Sequence, residues 1–175
     1  MTKLLILDLN GLLVSKQNKP IKNCSYAEHK CGKYYVYLRP QVFEFIEQIL
    51  NLYDVAIFSS TTFKNAMPIV ELLFKEQQSK LKFKWFRDRT EYDPDTDDHS
   101  TIKELVRVWR NPTANWERTY NKHNTLICDD DLSKVRFNSE NNYLVVAKFD
   151  PKTENDLVLE DLVAQIEDKF SVMQD

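Results

Sequence analysis

Glycine is nearly missing from this chain: Gly11 and Gly32 are the only two in 175 residues, beside six prolines. That excludes collagen-like and Gly/Pro-rich disordered chains. No apolar run approaches the roughly 20 residues that would span a bilayer, so a soluble protein with no membrane partner is expected. Cysteine is scarce and odd in number, at Cys24, Cys31 and Cys128, and Met1-Thr2-Lys3 leads directly into a strand-like segment without signal-peptide anatomy. These features predict a reducing intracellular compartment, nuclear or cytoplasmic. Positive charge is not in excess either. The formal net charge of -3 argues against direct nucleic-acid binding, which requires a basic surface. What is present is ordinary for a globular chain, with 42% hydrophobic and 29% charged residues. The length fits one domain over residues 1–175, with no internal repeat or linker.

Short apolar runs alternate with helical periodicity. Leu4-Leu5-Ile6-Leu7, Val55-Ala56-Ile57-Phe58, Thr125 to Cys128 and Tyr143 to Ala147 read as strands buried on both faces. Tyr34 to Leu38 is rich in β-forming residues. Arg39-Pro40 then opens a helix with Val42, Phe43, Ile46, Ile49 and Leu50 as its apolar stripe. Helices are also expected from Phe63 to Lys75, with a kink at Pro68, from Thr101 to Trp109, and over the stripe Leu159, Leu162, Val163, Ile166 and Phe170. Lys80 to Trp85 alternates strictly, which predicts a strand with one basic face. Strands alternating with helices imply crossover connections, hence an α/β doubly wound parallel sheet.

Three apolar runs end in oxygen-bearing residues: Asp8 with Asn10, Ser59 with Ser60, and Asp129 with Asp130 and Asp131. In a parallel sheet these ends share one edge, and open α/β sheets bind ligands there, where the strand order reverses. Converging carboxylates repel, so their pKa values rise or a cation is required. Hard oxygen ligands favour Mg2+, which keeps waters that a phosphate can displace. Lys103 could neutralise the remaining charge and hold a phosphate oxygen. Asp, Asn and Ser are individually common where strands enter turns; their coincidence in chain order makes a site the better reading.

Leu5 to Leu13, with Asp8-Leu9-Asn10-Gly11, resembles the first motif of the haloacid dehalogenase superfamily. The resemblance implies Asp8 as the nucleophile that becomes an aspartyl phosphate. Ser59 matches the second motif, a phosphate hydrogen-bond donor. Lys103 in Ile102-Lys103-Glu104-Leu105 matches the third, and Asp129-Asp130 the acidic Mg2+-holding fourth. Leu38-Arg39-Pro40 and Phe58-Ser59-Ser60-Thr61 resemble segments of the phosphatases that act on the RNA polymerase II carboxy-terminal domain. That likeness implies a Rossmann-like fold with no large cap and a small β insertion at Phe83 to Arg89, between motifs two and three. A missing cap implies an open site suited to phosphoserine or phosphothreonine in a phosphoprotein or phosphopeptide partner, rather than to small molecules.

One position departs from the pattern. The second Asp of the family's first motif is its general acid and base, and Asn10 stands there. An amide cannot exchange that proton, which removes a contribution of about 10²–10⁴-fold. The resemblance implies that Mg2+ binding survives, since this residue reaches the metal through its backbone carbonyl. The altered position admits a pseudophosphatase that serves as a phosphopeptide-binding or scaffold module.

Other signals are weaker. Cys24, His29 and Cys31 offer soft ligands at close spacing, but structural zinc takes four, so an ordinary flap loop is the better reading. Asp93 to Asp98 lacks the Gly and terminal Glu of a calcium loop and reads as solvated. Lys80, Lys82, Lys84, Arg87 and Arg89 suit equally a basic rim and the protection of a sheet edge. At least one of Tyr34, Tyr35 and Tyr37 must face the core, as should Trp85 and Trp109.

Overall fold

The computed structural model describes residues 2–173. In chain order the elements are β1 (Leu4–Leu7), β2 (Val14–Gln17), β3 (Glu28–Cys31), β4 (Tyr34–Leu38), α1 (Val42–Leu52), β5 (Asp54–Phe58), α2 (Phe63–Phe74), β6 (Lys84–Trp85) and β7 (Glu91–Tyr92). There follow β8 (Thr101–Ile102), α3 (Leu105–Arg110), β9 (Thr125–Asp129), α4 (Leu132–Val135), β10 (Tyr143–Val145) and α5 (Val158–Val172). The main sheet has five parallel strands in the order β10-β9-β1-β5-β6. The doubly wound architecture is therefore as expected.

Side-chain alternation along β1 divides the core. Leu5 and Leu7 pack with Val55, Ile57, Leu126 and Cys128 against the buried faces of α1, α2 and α5. Leu4 and Ile6 point the other way, with Ala56, Phe58 and Ile127, onto Leu105 and Val108 of α3 and Val135 of α4. Strands buried on both faces have no room for polar residues, which is why they read as unbroken apolar runs. From β1 the chain builds outward to β5 and β6, then returns to the other side of β1 with β9 and β10. The order thus reverses between β1 and β9.

Several local expectations shift. The stripe of α1 runs through Val42, Phe45, Ile46 and Ile49; Phe43 points outward. Helix α2 continues through Pro68. Thr101–Ile102 is not helical but pairs with Glu91–Tyr92, and α3 begins only at Leu105. Cross-strand bonding satisfies that backbone, overriding its helical spacing. Lys80 ends a 3-10 turn, while hydrogen bonds between Lys82 and Val55, Ile57 and Phe83, and Ser59 and Trp85 lay the following residues along β5 as the sheet edge. The regular strand there is short, Lys84–Trp85, and Arg87–Arg89 forms a 3-10 turn; the separate two-stranded ribbon lies after Phe83 to Arg89, in β7 and β8.

The polar stretch before Lys33 is more ordered than a loop. Val14–Gln17 and Glu28–Cys31 flank Tyr34–Leu38 in an antiparallel sheet of order β2-β4-β3. Glu28-His29-Lys30-Cys31 has no apolar alternation to announce a strand; the exposed edge of β4 recruits it. Tyr37 is the core tyrosine of the three, and its hydroxyl donates to Glu28.

Candidate active site

The reversal between β1 and β9 places Asp8 and Asp129 side by side. The pairing register sets Leu7 opposite Cys128, and the Asp8 N–H donates to the Cys128 carbonyl at 3.0 Å. Both carboxylates are buried. Between them lies Lys103, fully buried, with its Nζ 2.8 Å from Asp8 Oδ1 and 2.5 Å from Asp129 Oδ2. Lys103 lies not in a helix but in the link from β8 to α3, held by a bond from its N–H to the Lys134 carbonyl. Burial pushes its ammonium group down, but the charges of Asp8 and Asp129 outweigh that, and the net shift is upward.

Asp130 completes the cluster. Ligand oxygens of Asp8, Asp129 and Asp130 lie within 4.8 Å of one another. Burial, then the repulsion of Asp8 and Asp129, pushes the Asp130 carboxyl up to about 6. Burial and Asp8 likewise raise Asp129. Asp130 Oδ1 is buried and accepts no hydrogen bond among the described residues. A solvent-shielded carboxylate oxygen without a donor is costly, and a cation answers that cost. The donor set, three carboxylates on rigid strand ends, fits a hard divalent ion. Asp131, grouped with these two on sequence, points elsewhere and caps α4 by accepting from the Ser133 N–H and hydroxyl.

The remaining expected residues flank the cluster. Ser59, 1% exposed, ends β5 next to β1, and its Oγ accepts from Thr61 N–H at 3.2 Å. Asn10 lies in the tight turn after β1, where its side-chain oxygen accepts from the Lys16 N–H at 2.8 Å. By contrast Cys24, His29 and Cys31 form no ligand cluster among the described residues. The Cys24 thiol reaches the Pro151 carbonyl and the Cys31 thiol that of Pro68. The basic residues of the sheet edge are also dispersed: Lys82 pairs with Asp54, and Arg87 donates to the His99 carbonyl.

Two structural residues escaped the sequence reading of function. Gly11 has φ +95°, and a Cβ there would fall 2.2 Å from Asp130 Oδ2, so only glycine lets the turn approach that carboxylate. Its neighbour Asn10 was the available signal. Arg39, 1% exposed, donates to the Leu12 and Ala147 carbonyls and to Asp156. It thereby ties the turn after β1 to the chain beyond β10. Nothing in its local sequence distinguishes a buried arginine from an exposed one.

An acidic cluster with a bridging lysine, at the switch point of a Rossmann-like sheet, defines the class: an α/β fold of the haloacid dehalogenase type. The family model for NLI interacting factor-like phosphatases matches residues 3–175, and the chain belongs to that family. Among curated relatives it is 27% identical over 164 residues to the CTD small phosphatase-like protein 1 of Caenorhabditis elegans, covering 89% of this chain and 30% of that protein. It is 25% identical over 175 residues to the probable C-terminal domain small phosphatase of Dictyostelium discoideum, covering 97% and 51%. The human CTD small phosphatase-like protein is 25% identical, with 89% and 52% covered. The chain thus spans about half or less of these relatives' lengths. Among solved structures, the fission yeast RNA polymerase II CTD phosphatase Fcp1 bound to beryllium fluoride superposes with a TM-score of 0.58 at 14% identity, over 99% of this chain and 51% of that one. A second Fcp1 structure gives 0.59 at 16% identity over 99% and 49%. These two establish the shared fold.

Proposed function

We propose that this chain is a Mg2+-dependent phosphomonoester hydrolase that acts through an aspartyl phosphate at Asp8, on phosphoserine or phosphothreonine in a protein, in the nucleus or cytoplasm. The observation that carries the reading is the convergence of Asp8, Asp129 and Asp130, with Lys103 bonded to the first two and a buried oxygen of Asp130 left without a donor. Asp8, Asp129, Asp130 and the backbone carbonyl of Asn10 would hold the metal. When bound, Mg2+ supplies charge neutralisation and a ligand for a phosphate oxygen. Lys103 fixes one oxygen of Asp8 and so orients the carboxylate. An Asp8 oxygen attacks phosphorus, the ester P–O bond breaks, and the alcohol oxygen leaves with the bonding pair and takes up a proton from solvent water, since the amide of Asn10 has none to give. Water then attacks the phosphorus of the aspartyl phosphate, which releases inorganic phosphate and restores Asp8. Ser59 is the hydrogen-bond donor to the phosphate.

A phosphoprotein substrate is supported by an exposed aromatic groove that begins just past the motif-two loop. Among the described residues, the additions to the main sheet are the small sheets β2-β4-β3 and β7-β8. The groove, of about 490 Å³, begins at Thr62, shortly after Ser59 in the chain, and is walled by Phe63 and Tyr92, aromatics that are 64% and 73% exposed, by Arg87, and by the acids Asp88 and Glu91. The names of the relatives point the same way.

One observation favours a second reading. Asn10 occupies the acid/base position and its side-chain oxygen is bound by a backbone N–H, so no carboxylate there protonates the leaving group. A pseudophosphatase that binds phosphopeptides without turning them over would have this feature. Intact-mass and peptide-mapping measurements after incubation with an aryl phosphate and Mg2+ separate the two. The enzyme reading expects one phosphoryl group on the peptide containing Asp8, absent in Asp8→Ala. Unmodified Asp8 and no released phosphate would leave the binding module.

A further inference from the structure

Lys16 is a cation beside the motif-two loop that forms no ion pair among the described residues. Strand β2 carries it to the motif-two loop, where its Nζ stands 3.4 Å from Thr61 Oγ1 and 4.6 Å from the centre of the Tyr34 ring. Thr61 in turn donates its N–H to Ser59 Oγ, and the Lys16 N–H holds the Asn10 side chain. The residue is thus tied by its backbone to the turn after Asp8 and by its ammonium group to the loop of Ser59. Among the described residues it forms no ion pair, whereas Lys103 is fully engaged by Asp8 and Asp129. Burial pushes the Lys16 amine down; Tyr34 and Asp8 oppose that, and Lys33 and Lys134 add to it. A half-buried ammonium group with only a weak hydroxyl contact and an aromatic face as partners lacks a strong acceptor.

The charge count identifies that acceptor. Asp8, Asp129 and Asp130 carry three negative charges against the one positive charge of Lys103. A divalent cation brings the sum to zero, so an arriving phosphate dianion is left to lysines outside the cluster: Lys134, whose field acts on Asp129 and Asp130, and Lys16, which alone is bonded to the loop of Ser59. We propose that Lys16 is a phosphate-recognition residue, whose ammonium group swings from Thr61 onto a phosphate oxygen of the bound substrate. This rests on the reading of the Asp8 cluster as a phosphate site. Tyr34 and Thr61 keep the ammonium group at the rim until the dianion arrives. The charge-assisted bond formed is of the strong kind.

The test is inorganic phosphate binding by calorimetry to the Mg2+-loaded protein, with Lys16→Gln, Lys16→Arg and Lys33→Gln. Lys33 lies over the same Tyr34 ring at 5.2 Å and serves as the control for the general field. Lys16→Gln keeps most of the stem that packs at the rim. It is expected to weaken phosphate at least about tenfold, the scale of one charge-assisted hydrogen bond, with unchanged Mg2+ affinity and thermal midpoint. Lys16→Arg should restore most of the binding, and Lys33→Gln should change it little. Equal binding by wild type and Lys16→Gln overturns the proposal while leaving the phosphate site standing. Equal losses in Lys16→Gln and Lys33→Gln also overturn it, since the effect would then be one of net charge. If the Mg2+-loaded wild type binds no phosphate and hydrolyses no phosphate ester, the underlying reading falls and this inference with it.

Discussion

At the scale of single residues, the first turn after β1 decides what the site can do. A serine alkoxide is a poor leaving group and requires a proton in the transition state, whereas an aryl phenolate leaves with little help. With Asn10 in place, residual activity should favour aryl phosphates over phosphoserine peptides. Asn10→Asp should raise turnover of a phosphoserine peptide by about 10²-fold or more, with a smaller gain on an aryl phosphate. The Lys16 N–H that now binds the amide oxygen can bind a carboxylate oxygen in the same way. Pre-steady-state kinetics with both substrates check this, and no gain on either would remove the acid as the missing element. One residue further along, a Cβ on Gly11 would overlap the Asp130 carboxylate, in a backbone region that L side chains rarely adopt. Gly11→Ala should therefore lower Mg2+ affinity by about tenfold or more as Asp130 is displaced, a loss of roughly 1.4 kcal/mol. Calorimetry on a variant whose circular dichroism matches wild type decides it.

At the scale of elements, the site hangs on bonds that cross between them. Arg39, at the end of β4, reaches Leu12 in the turn after β1, Ala147 beyond β10, and Asp156 ahead of α5. Phe149 N–H adds a bond to the Gly11 carbonyl at 2.8 Å. Replacing Arg39 with Met would leave Asp156, the Leu12 carbonyl and the Ala147 carbonyl without their donor. Breaking a buried pair by removing one partner costs about 3–5 kcal/mol. Urea unfolding of Arg39→Met should show a loss of that size, and an Asp156→Asn change, which keeps an acceptor oxygen, a smaller one. A midpoint within error of wild type for Arg39→Met would show that the brace carries no weight. The Arg39-Pro40 pair was legible as a family likeness and as a helix start; its bracing role was not, because its partners lie 27 and more residues away in the chain.

At the scale of the whole molecule, the proposed Mg2+ site would link metal binding to folding through Asp130. Its carboxyl takes up a proton at about 6 in the folded protein against 3.8 for the free side chain. Between those values this carboxyl holds more proton in the metal-free folded state than in the unfolded one, so its own contribution to stability declines as pH rises from 3.8 to about 6. Mg2+ must displace that proton, so its affinity should climb over the same interval and level off above it. A ligand at 100 times its dissociation constant adds about 2.7 kcal/mol. For a chain of this size that corresponds to about 5–10 °C in thermal midpoint. Saturating Mg2+ should raise the midpoint by this order near neutral pH, by less at about pH 5, and not at all in Asp8→Ala/Asp130→Ala. Equal shifts in wild type and the double variant would place the metal elsewhere.

The sequence by itself determined the doubly wound class, because strands covered on both faces cannot hide their apolar runs, and it placed Asp8, Ser59 and Asp129 at the ends of those runs. Chain order and carboxylate chemistry were enough to expect a cation. Tertiary structure decided the rest. It separated Asp131, a helix cap, from Asp130, and set Lys103 between two acids that are 121 residues apart in the chain, Asp8 and Asp129. It also formed strands from the polar stretch before Lys33 and selected Gly11 and Arg39 as supports. The physical reason is the range of the forces involved. Burial periodicity is written into neighbouring residues, whereas the partners of a charge or the room for a Cβ depend on which distant segments the sheet brings together.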